Sequence, residues 1–400
     1  MIKKAVILAA GEGTRLKPFT ENAPKAMIPV ANKPVLEYVV NALVKSGIHN
    51  IVIVIGYKKE SILEYFGDGN RFGAEIEYVT QKEQVGTAHA LLQAEEYMGE
   101  DGFLVLPGDN IIDEKGIIPL IKEKHEMVLL VKKHSQPSKY GVVEIEEGVV
   151  KNIMEKPVEA KSNIVSTGIY KLDKKIWGIL HDCAKKGIYD LTNVIQEAIG
   201  RGHILKAVEN EGKWMDIVYP WDLIHVNAKI LQEISYSTAG KIEENVVIKG
   251  KVCIGEDTVI RSGCYIVGPV VIGKNCEIGP NVCIFPSTSI GDNVTVNPFT
   301  EIKNSILMEG VSIGSNSLIL SSVIGKGCFI GTHFSTISGG SILKIGDEYT
   351  EVENIGAFVG DGTVIKSNVV LRPATRIGVE CEIEVGNVVG GDIRSRCKVV

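Results

Sequence analysis

Between residues 242 and 302 an aliphatic side chain returns on a strict six-residue beat: Ile242, Ile248, Ile254, Ile260, Ile266, Ile272, Ile278, Ile284, Ile290, Val296 and Ile302. A helix repeats about every 3.6 residues and a strand every two, so neither produces this period alone. A chain that turns a triangular corner after each short strand does, with every turn hydrogen-bonded to the one below. The beat returns at Val359, Ile365, Leu371, Ile377, Ile383 and Val389, and falters between the two runs, where Ile313–Ile319 and Ile324–Ile330 survive as pairs. A repeat of this kind sets the architecture of its region. The C-terminal part is expected to be a left-handed parallel β-helix of hexapeptide repeats, with loops leaving the coil at 303–312 and 336–356.

At 400 residues the chain exceeds what a single core usually serves, so two domains are expected. The net charge of −6 gives no global basic character, which argues against nucleic acid or an anionic membrane as a partner. The opening MIKKAVILAAGEGTR superficially resembles a short export signal, but Glu12 and Arg15 follow the apolar stretch at once, as in a buried first strand that runs into a loop. No apolar run reaches the roughly 20 residues of a membrane span. A cytoplasmic protein is expected. Cys264, Cys276, Cys328 and Cys381 each fall four residues after a beat residue, where Val270, Val282, Thr288 and Thr300 stand elsewhere. Cysteine at that place is a small buried hydrophobe, and neither zinc nor disulfides are expected.

The first 230 residues follow another pattern. Apolar strand candidates at 5–9, 51–55, 103–106 and 128–131 alternate with helical stretches near 35–46, 60–66 and 87–97. Near-continuous Val, Ile and Leu runs are buried on both faces, as in a parallel sheet covered by helices. Further strands of mixed direction are expected at 140–145, 149–154 and 168–172, then a helix over 221–234. The expected domains are 1–232 and 241–400, with 221–240 as helix and linker.

Polar chemistry gathers where these strands end. After the first comes LAAGEGTRLKPFTENAPKAMIPV, residues 8–30. Gly11 and Gly13 let backbone N–H groups close on an anion, and Arg15 and Lys25 add two cations, which suits a polyphosphate. The loop lacks the Gly-Lys-Ser/Thr of a Walker A motif and the third glycine of a dinucleotide fingerprint. Its full string is G-x-G-T-R-L-x-P-x-T-x-x-x-P-K-x-x-x-P. On these residues the chain resembles sugar-1-phosphate nucleotidylyltransferases. Its layout is similar to that of bifunctional enzymes that couple N-acetylglucosamine-1-phosphate uridylyl transfer to a β-helical glucosamine-1-phosphate acetyltransferase half. The resemblance is dense from 8 to 220 and mostly architectural over 240–400. It implies an α/β, Rossmann-like first domain with a mixed, mostly parallel sheet.

The resemblance also implies roles. Ala10, Gly11, Gly13 and Thr14 would bind nucleotide, as would Gln81, Gly86 and Thr87 of QKEQVGTAHALLQA (81–94), which hold the base; the G-T-A wording is closer to the uridylyl branch than the thymidylyl one. His89 is expected to be an ordinary helix residue. Asp109 in LVLPGDN matches a Mg²⁺ ligand, with Asp216 of KWMDI as its partner. A buried strand-end carboxylate is costly without a cation, and Mg²⁺ prefers such oxygens together with phosphate and water; read alone, Asp109 would merely cap a turn. Gly141, Glu155 and Thr192 match sugar contacts and Lys156 a phosphate contact. Read alone, Glu155-Lys156-Pro157 is a strand end with a solvated ion pair. Arg15, Lys25 and Lys156 would carry the catalytic charge.

Two departures stand out. Relatives have Asn where this chain has Ser166, which puts one sugar or ribose contact in question. In the β-helix, Ser315 and Leu318 align with the histidine and tyrosine of the acetyltransferase motif, and 347–354 reads DEYTEVEN where relatives are basic. Acetyl-CoA is therefore expected only under an alternative bifunctional reading, with His333 the nearest other base. A catalytically silent regulatory paralogue is a second alternative; the retained Arg15, Lys25, Asp109, Lys156 and Asp216 count against it. The substrates implied are a nucleoside triphosphate, UTP ahead of dTTP, and a hexose-1-phosphate. The β-helix is expected to assemble a homotrimer.

Overall fold

The computed structural model describes residues 2–345 and 348–400. They pack as two compact units. The first comprises Met1–Glu12, Pro24–Met27 and Pro34–Asp216; the second comprises Gly13–Ala23, Ile28–Lys33 and Ile217–Val400.

In the first unit, strands and helices alternate: β1 (Lys4–Leu8), α1 (Val35–Lys45), β2 (Asn50–Ile55), α2 (Glu60–Phe66), β3 (Glu75–Thr80), α3 (Thr87–Leu92), β4 (Phe103–Pro107), β5 (Asn110–Ile112), α4 (Glu114–Lys122), β6 (Met127–Lys133), β7 (Gly141–Glu146), β8 (Val149–Glu155), β9 (Ile164–Leu172), α5 (Lys175–Lys185), α6 (Leu191–Gly200), β10 (Leu205–Glu209) and β11 (Trp214–Asp216). The sheet order is β3-β2-β1-β4-β9-β6-β10-β8-β7. β1 runs parallel to β2 and β4, whereas β9 is antiparallel to β4 and β6. This is a mixed, Rossmann-like sheet. Its strands are apolar on both faces because both are covered: Ile7, Ile53 and Leu104 pack with Leu36 and Val40 of α1. One residue away in each strand, Val6, Val52 and Val105 pack with Leu91 of α3 and Ile176 and Leu180 of α5. The period-two alternation thus splits one strand set between two cores. The helix expected over 87–97 stops at Leu92, and a short 3-10 turn covers Glu95–Tyr97. The strand expected at 168–172 starts earlier, at Ile164.

After helix α7 (Pro220–Leu231), the chain winds into three parallel sheets of nine, nine and eight strands among the described residues. It forms a left-handed β-helix. Partners stack straight up the coil, as in Ile254↔Ile272, Ile272↔Ile290, Ile266↔Ile284 and Ile284↔Ile302. The beat side chains from Ile254 to Ile302 point inward, each at most 3% exposed. Ile242, with no coil beneath it, is 37% exposed. Sharp corners need left-handed backbone, and short polar asparagine tolerates it best among residues with a Cβ: Asn275, Asn281, Asn293, Asn304 and Asn316 all have φ between 49° and 59°. Cys264, Cys276, Cys328 and Cys381 lie in this apolar core. Burial raises each thiol, that of Cys328 to about 12.

The interruption of the beat has two physical causes, and only one is a loop. Residues 303–312 do not leave the coil. Strand Ile306–Leu307 lies within them and strand Ser312–Ile313 begins at their end, with Leu307 stacked between Ile290 and Ile324. The side from Ile302 to Leu307 is one residue short, as is the side from Ile319 to Ile324 one coil later. The second interruption does leave the coil, as an antiparallel hairpin of Gly339–Ile345 and Glu348–Ile355. Above it, Thr336 pairs with Leu371 and stacking resumes. Of the acidic stretch 347–354, Asp347 lies outside the described residues. No helix among the described residues is long and apolar enough to cross a membrane.

Candidate active site

Three groups of the singled-out residues converge in the first unit, each because a strand end brings it there. Gly108 follows β4 and donates its N–H to Leu8 O (2.9 Å). A Cβ at Gly108 would sit 2.9 Å from that of Ala9, so only glycine lets the chain pass here and turn Asp109 outward. β5 then pairs antiparallel with β11, in the register Asp216↔Asn110 and Trp214↔Ile112. That ribbon joins two carboxylates far apart in sequence. Lys25 Nζ donates to Asp109 Oδ2 at 2.6 Å and lies 3.5 Å from Asp216 Oδ1. The Asn110 amide, in the orientation its neighbours favour, donates to Asp109 Oδ1 (2.8 Å) and accepts from Trp214 Nε1 (3.0 Å).

Two half-buried carboxylates drawn onto one ammonium form a centre that attracts cations. Their oxygens are hard donors and fit a small divalent cation that keeps water or phosphate as further ligands. Among the described residues no cluster of three or more His, Cys, Asp or Glu side chains could hold a metal alone. Asp109 and Asp216 would therefore hold such an ion jointly with substrate oxygens.

The second group is built on β3 and α3. Gln81 is buried, its backbone N–H bonded to Ile55 O (2.8 Å). Its side-chain amide nitrogen donates to Gly86 O (3.1 Å) and lies 3.0 Å from His89 Nδ1. His89, expected to be an ordinary helix residue, orients the Gln81 amide; nothing in its spacing distinguishes it from a solvated helix histidine. Thr87 Oγ1 accepts from Leu191 N (2.9 Å), and a Cβ at Gly86 would run into the Tyr189 carbonyl. Gly86→Ala is accordingly expected to displace the 86–87 corner at a cost of about 1–3 kcal/mol. A lower Tm together with a KM for nucleotide raised about tenfold or more would report it; a variant with wild-type values for both would refute it.

The third group lies where β7, β8 and α6 meet. Gly141 is paired with Glu155, and a Cβ on it would lie 3.2 Å from Glu155 Oε2 and 3.5 Å from Thr192 Cγ2. Thr192 Oγ1 donates to Glu155 Oε2 (3.1 Å), and Asp190 caps α6 by accepting from Thr192 N (2.8 Å). Lys156 is half exposed, its Nζ 3.4 Å from Glu155 Oε1. Ser166 turns its hydroxyl into the protein, where it accepts from Gly168 N (3.1 Å) and lies 3.3 Å from the Tyr170 hydroxyl. Burial pushes the Tyr170 phenol up to about 12, so it stays a neutral donor. An aromatic cluster missed in the sequence, His134, Tyr140 and Trp214, runs from the Gly141 edge to the Asp216 strand. Desolvation lowers the His134 pKa and favours the neutral ring.

Around the glycine loop, Ala10 is buried at the end of β1 and accepts from Tyr57 N (3.2 Å). Gly11 has open space around it, and Gly13 takes a left-handed φ of 71° that launches the short turn Thr14–Leu16, leaving Thr14 and Arg15 exposed. In the β-helix, Ser315 lines a groove of about 520 Å³ with Asn297, Ser312, Phe329, Thr332 and Lys366. His333 is not among its lining residues; its backbone N–H bonds to Ser315 O (2.9 Å).

Residues 4–233 match the family model described as Nucleotidyl transferase. The chain belongs to the nucleotidyl transferase family. Enzymes of this family use a divalent metal, which agrees with the donor set of the carboxylate pair. A second model, the GMPPB C-terminal domain, matches residues 266–355 of this nucleotidyltransferase. The chain is 37% identical to a protein named Bifunctional protein GlmU from Methanococcus maripaludis strain C5, with 97% of this chain and 95% of that one covered. It is 36% identical to the protein of the same name from Methanocaldococcus jannaschii, with 98% and 96% covered. Among solved structures, a UDP-glucose pyrophosphorylase complexed with UDP-glucose superposes with a TM-score of 0.52 at 28% identity, covering 58% of this chain and 100% of that one.

Proposed function

We propose that this nucleotidyltransferase joins a nucleoside triphosphate to a hexose-1-phosphate and releases pyrophosphate. The observation that carries the reading is the Asp109–Lys25–Asp216 centre, a cation-attracting pair of carboxylates at the strand ends of a family sheet. The likeness to a UDP-glucose pyrophosphorylase complexed with UDP-glucose supports the substrate class, as do the Gly141, Glu155 and Thr192 surfaces, which suit sugar hydroxyls. UTP is favoured over dTTP and N-acetylglucosamine-1-phosphate or glucose-1-phosphate is the acceptor, with residues 1–232 as the catalytic domain and 241–400 as the β-helix domain.

An oxygen of the sugar phosphate attacks the α-phosphorus in line; a new P–O bond forms and the α–β bridging P–O bond breaks, its electrons leaving on pyrophosphate. The nucleophile is already anionic, so no general base is required. The barrier lies in bringing two polyanions together, and positioning with charge neutralisation lowers it. Arg15 and the amides of Gly11, Gly13 and Thr14 would hold the β- and γ-phosphates. Lys25 and Lys156 would hold the α-phosphate and the sugar phosphate. Gln81, Gly86 and Thr87 would seat the base, and Ala10 would flank it. Mg²⁺ on Asp109 and Asp216 would draw charge from the α-phosphate. The β-helix serves assembly as a homotrimer, in the cytoplasm.

A second reading, acetyl transfer from acetyl-CoA to glucosamine-1-phosphate, is favoured by the word bifunctional in the relatives' name and by the groove at Ser315. No histidine lines that groove, which weighs against it. Pyrophosphate release with Mg²⁺, measured over UTP and dTTP against both sugar phosphates, tests the main reading. Free thiol from acetyl-CoA and glucosamine-1-phosphate tests the second. Release without thiol is the expected result, and no release in any combination would overturn the proposal.

A further inference from the structure

The segment that carries Thr14 and Arg15 belongs to the same compact unit as the β-helix. Its anchors are specific. The Ser395 hydroxyl reaches both carboxylate oxygens of Glu21, at 2.8 and 2.7 Å, and itself accepts from Val379 N (3.1 Å). Ser395 stands just past Ile393, which pairs with Ile377 of the coil below. One residue on, Asn22 Nδ2 lies 3.5 Å from Asp361 Oδ2, whose other oxygen accepts from Lys326 N (2.8 Å). Within the segment, Thr20 Oγ1 donates to Gly13 O (2.9 Å) and closes the loop on itself. The adjoining stretch is fastened lower on the same coil: Asn32 Nδ2 donates to Ile290 O (2.6 Å), and the buried Asn227 of α7 accepts from both Ala31 N (2.9 Å) and Ser289 Oγ (2.6 Å).

We propose that Glu21 and Ser395 are positioning residues for the phosphate loop, so that the last turns of the β-helix set the placement of Arg15. Arg15 is exposed on a short 3-10 turn and makes no regular helix or strand of its own. A guanidinium on such a turn binds anions well only where the turn is held, since ordering it at the moment of binding subtracts from affinity. Thr20 links the turn to Glu21, and Glu21 ends on the coil. The hydroxyl-to-carboxylate contact is charge-assisted, hence among the stronger hydrogen bonds available to a half-buried pair. The β-helix thus acts on nucleotide binding through the chain that leaves the first strand, as well as through any assembly it makes. This inference rests on the reading of residues 11–15 as the triphosphate loop.

The test uses the full-length protein in four forms: wild type, Ser395→Ala, Ser395→Thr and Glu21→Ala/Ser395→Ala. Loss of a hydrogen bond to a charged group predicts a KM for the nucleoside triphosphate raised about tenfold in Ser395→Ala, with the KM for the sugar phosphate unchanged. Ser395→Thr, which keeps the hydroxyl, should restore the wild-type value, and the double variant should be no worse than the single one, as for two groups acting through one contact. Hydrogen exchange read on the 13–23 peptide should speed up in Ser395→Ala and not in Ser395→Thr. Unchanged KM and unchanged exchange in Ser395→Ala overturn the proposal, as does a fall in Tm with KM unaltered. A wild-type protein that releases no pyrophosphate removes the underlying reading instead, while the exchange comparison still reports whether Ser395 holds the segment.

Discussion

Asp109→Asn is expected to lower kcat for pyrophosphate release by about 10²–10³-fold, the usual loss when one preorganised charge contact leaves a transition state. The substitution keeps the shape of the side chain and removes its charge. Lys25 Nζ, now 2.6 Å from Asp109 Oδ2, would lose its nearer carboxylate, and the proposed divalent site would lose one of its two carboxylates. Asp216→Asn should act in the same direction but less strongly, because Asp216 stands 3.5 Å from the same ammonium. Binding of nucleotide sugar, measured by calorimetry, should weaken far less than turnover. A wild-type kcat with a lowered Tm would mean that Asp109 only closes the turn after β4. Equal binding and no turnover in the unmodified protein would instead favour a regulatory paralogue.

Ile302→Ala is expected to destabilise the β-helix by about 2–5 kcal/mol. Ile302 is fully buried and stacked between Ile284 and Ile319. Truncation leaves a void that neighbours above and below can fill only by breaking their own ladder. Ile242→Ala removes the same atoms from a side chain 37% exposed with no coil beneath it, and should cost less than half as much. Thermal unfolding of the two variants checks both values, and equal shifts would contradict the argument. Since each coil touches only its neighbours, the lesion should stay local, with hydrogen exchange rising in adjacent coils before distant ones.

The architecture was legible because its cause is short-range: a six-residue beat is written into consecutive residues and needs no partner to be recognised. Even so, the shortened sides at 302–307 and 319–324 resemble a loop in one dimension, since Leu307 and Ile324 arrive one place early. At the site, the glycine loop and the separate motifs could be read because each is contiguous. What could not be read was their meeting. Lys25 lies 84 residues from Asp109, and only the antiparallel pairing of β5 with β11 brings Asp216 to the same ammonium. The same holds for His89 steadying Gln81, for the inward turn of the Ser166 hydroxyl, and for the ring cluster of His134, Tyr140 and Trp214. Each depends on packing between distant elements, and no local pattern records it.

The corners of the coil carry one further meaning. Neighbouring rungs bonded through their corners are usually 18 residues apart in sequence, as for Lys274 and Asp292. At a shortened side the interval is 17, as for Ser305 and Ser322, and across the hairpin it is 35, from Lys326 to Asp361. All three intervals end in a backbone N–H donating to a side-chain oxygen on the neighbouring rung. What each rung transmits to the next is the arrival of a side chain at the axis, not the number of residues used to reach it. Phase is therefore reset at every corner rather than accumulated along the chain. A deletion or a long excursion there costs one rung its regular outline and leaves all later rungs in step, which makes the corners the places where such a protein can change length without changing fold.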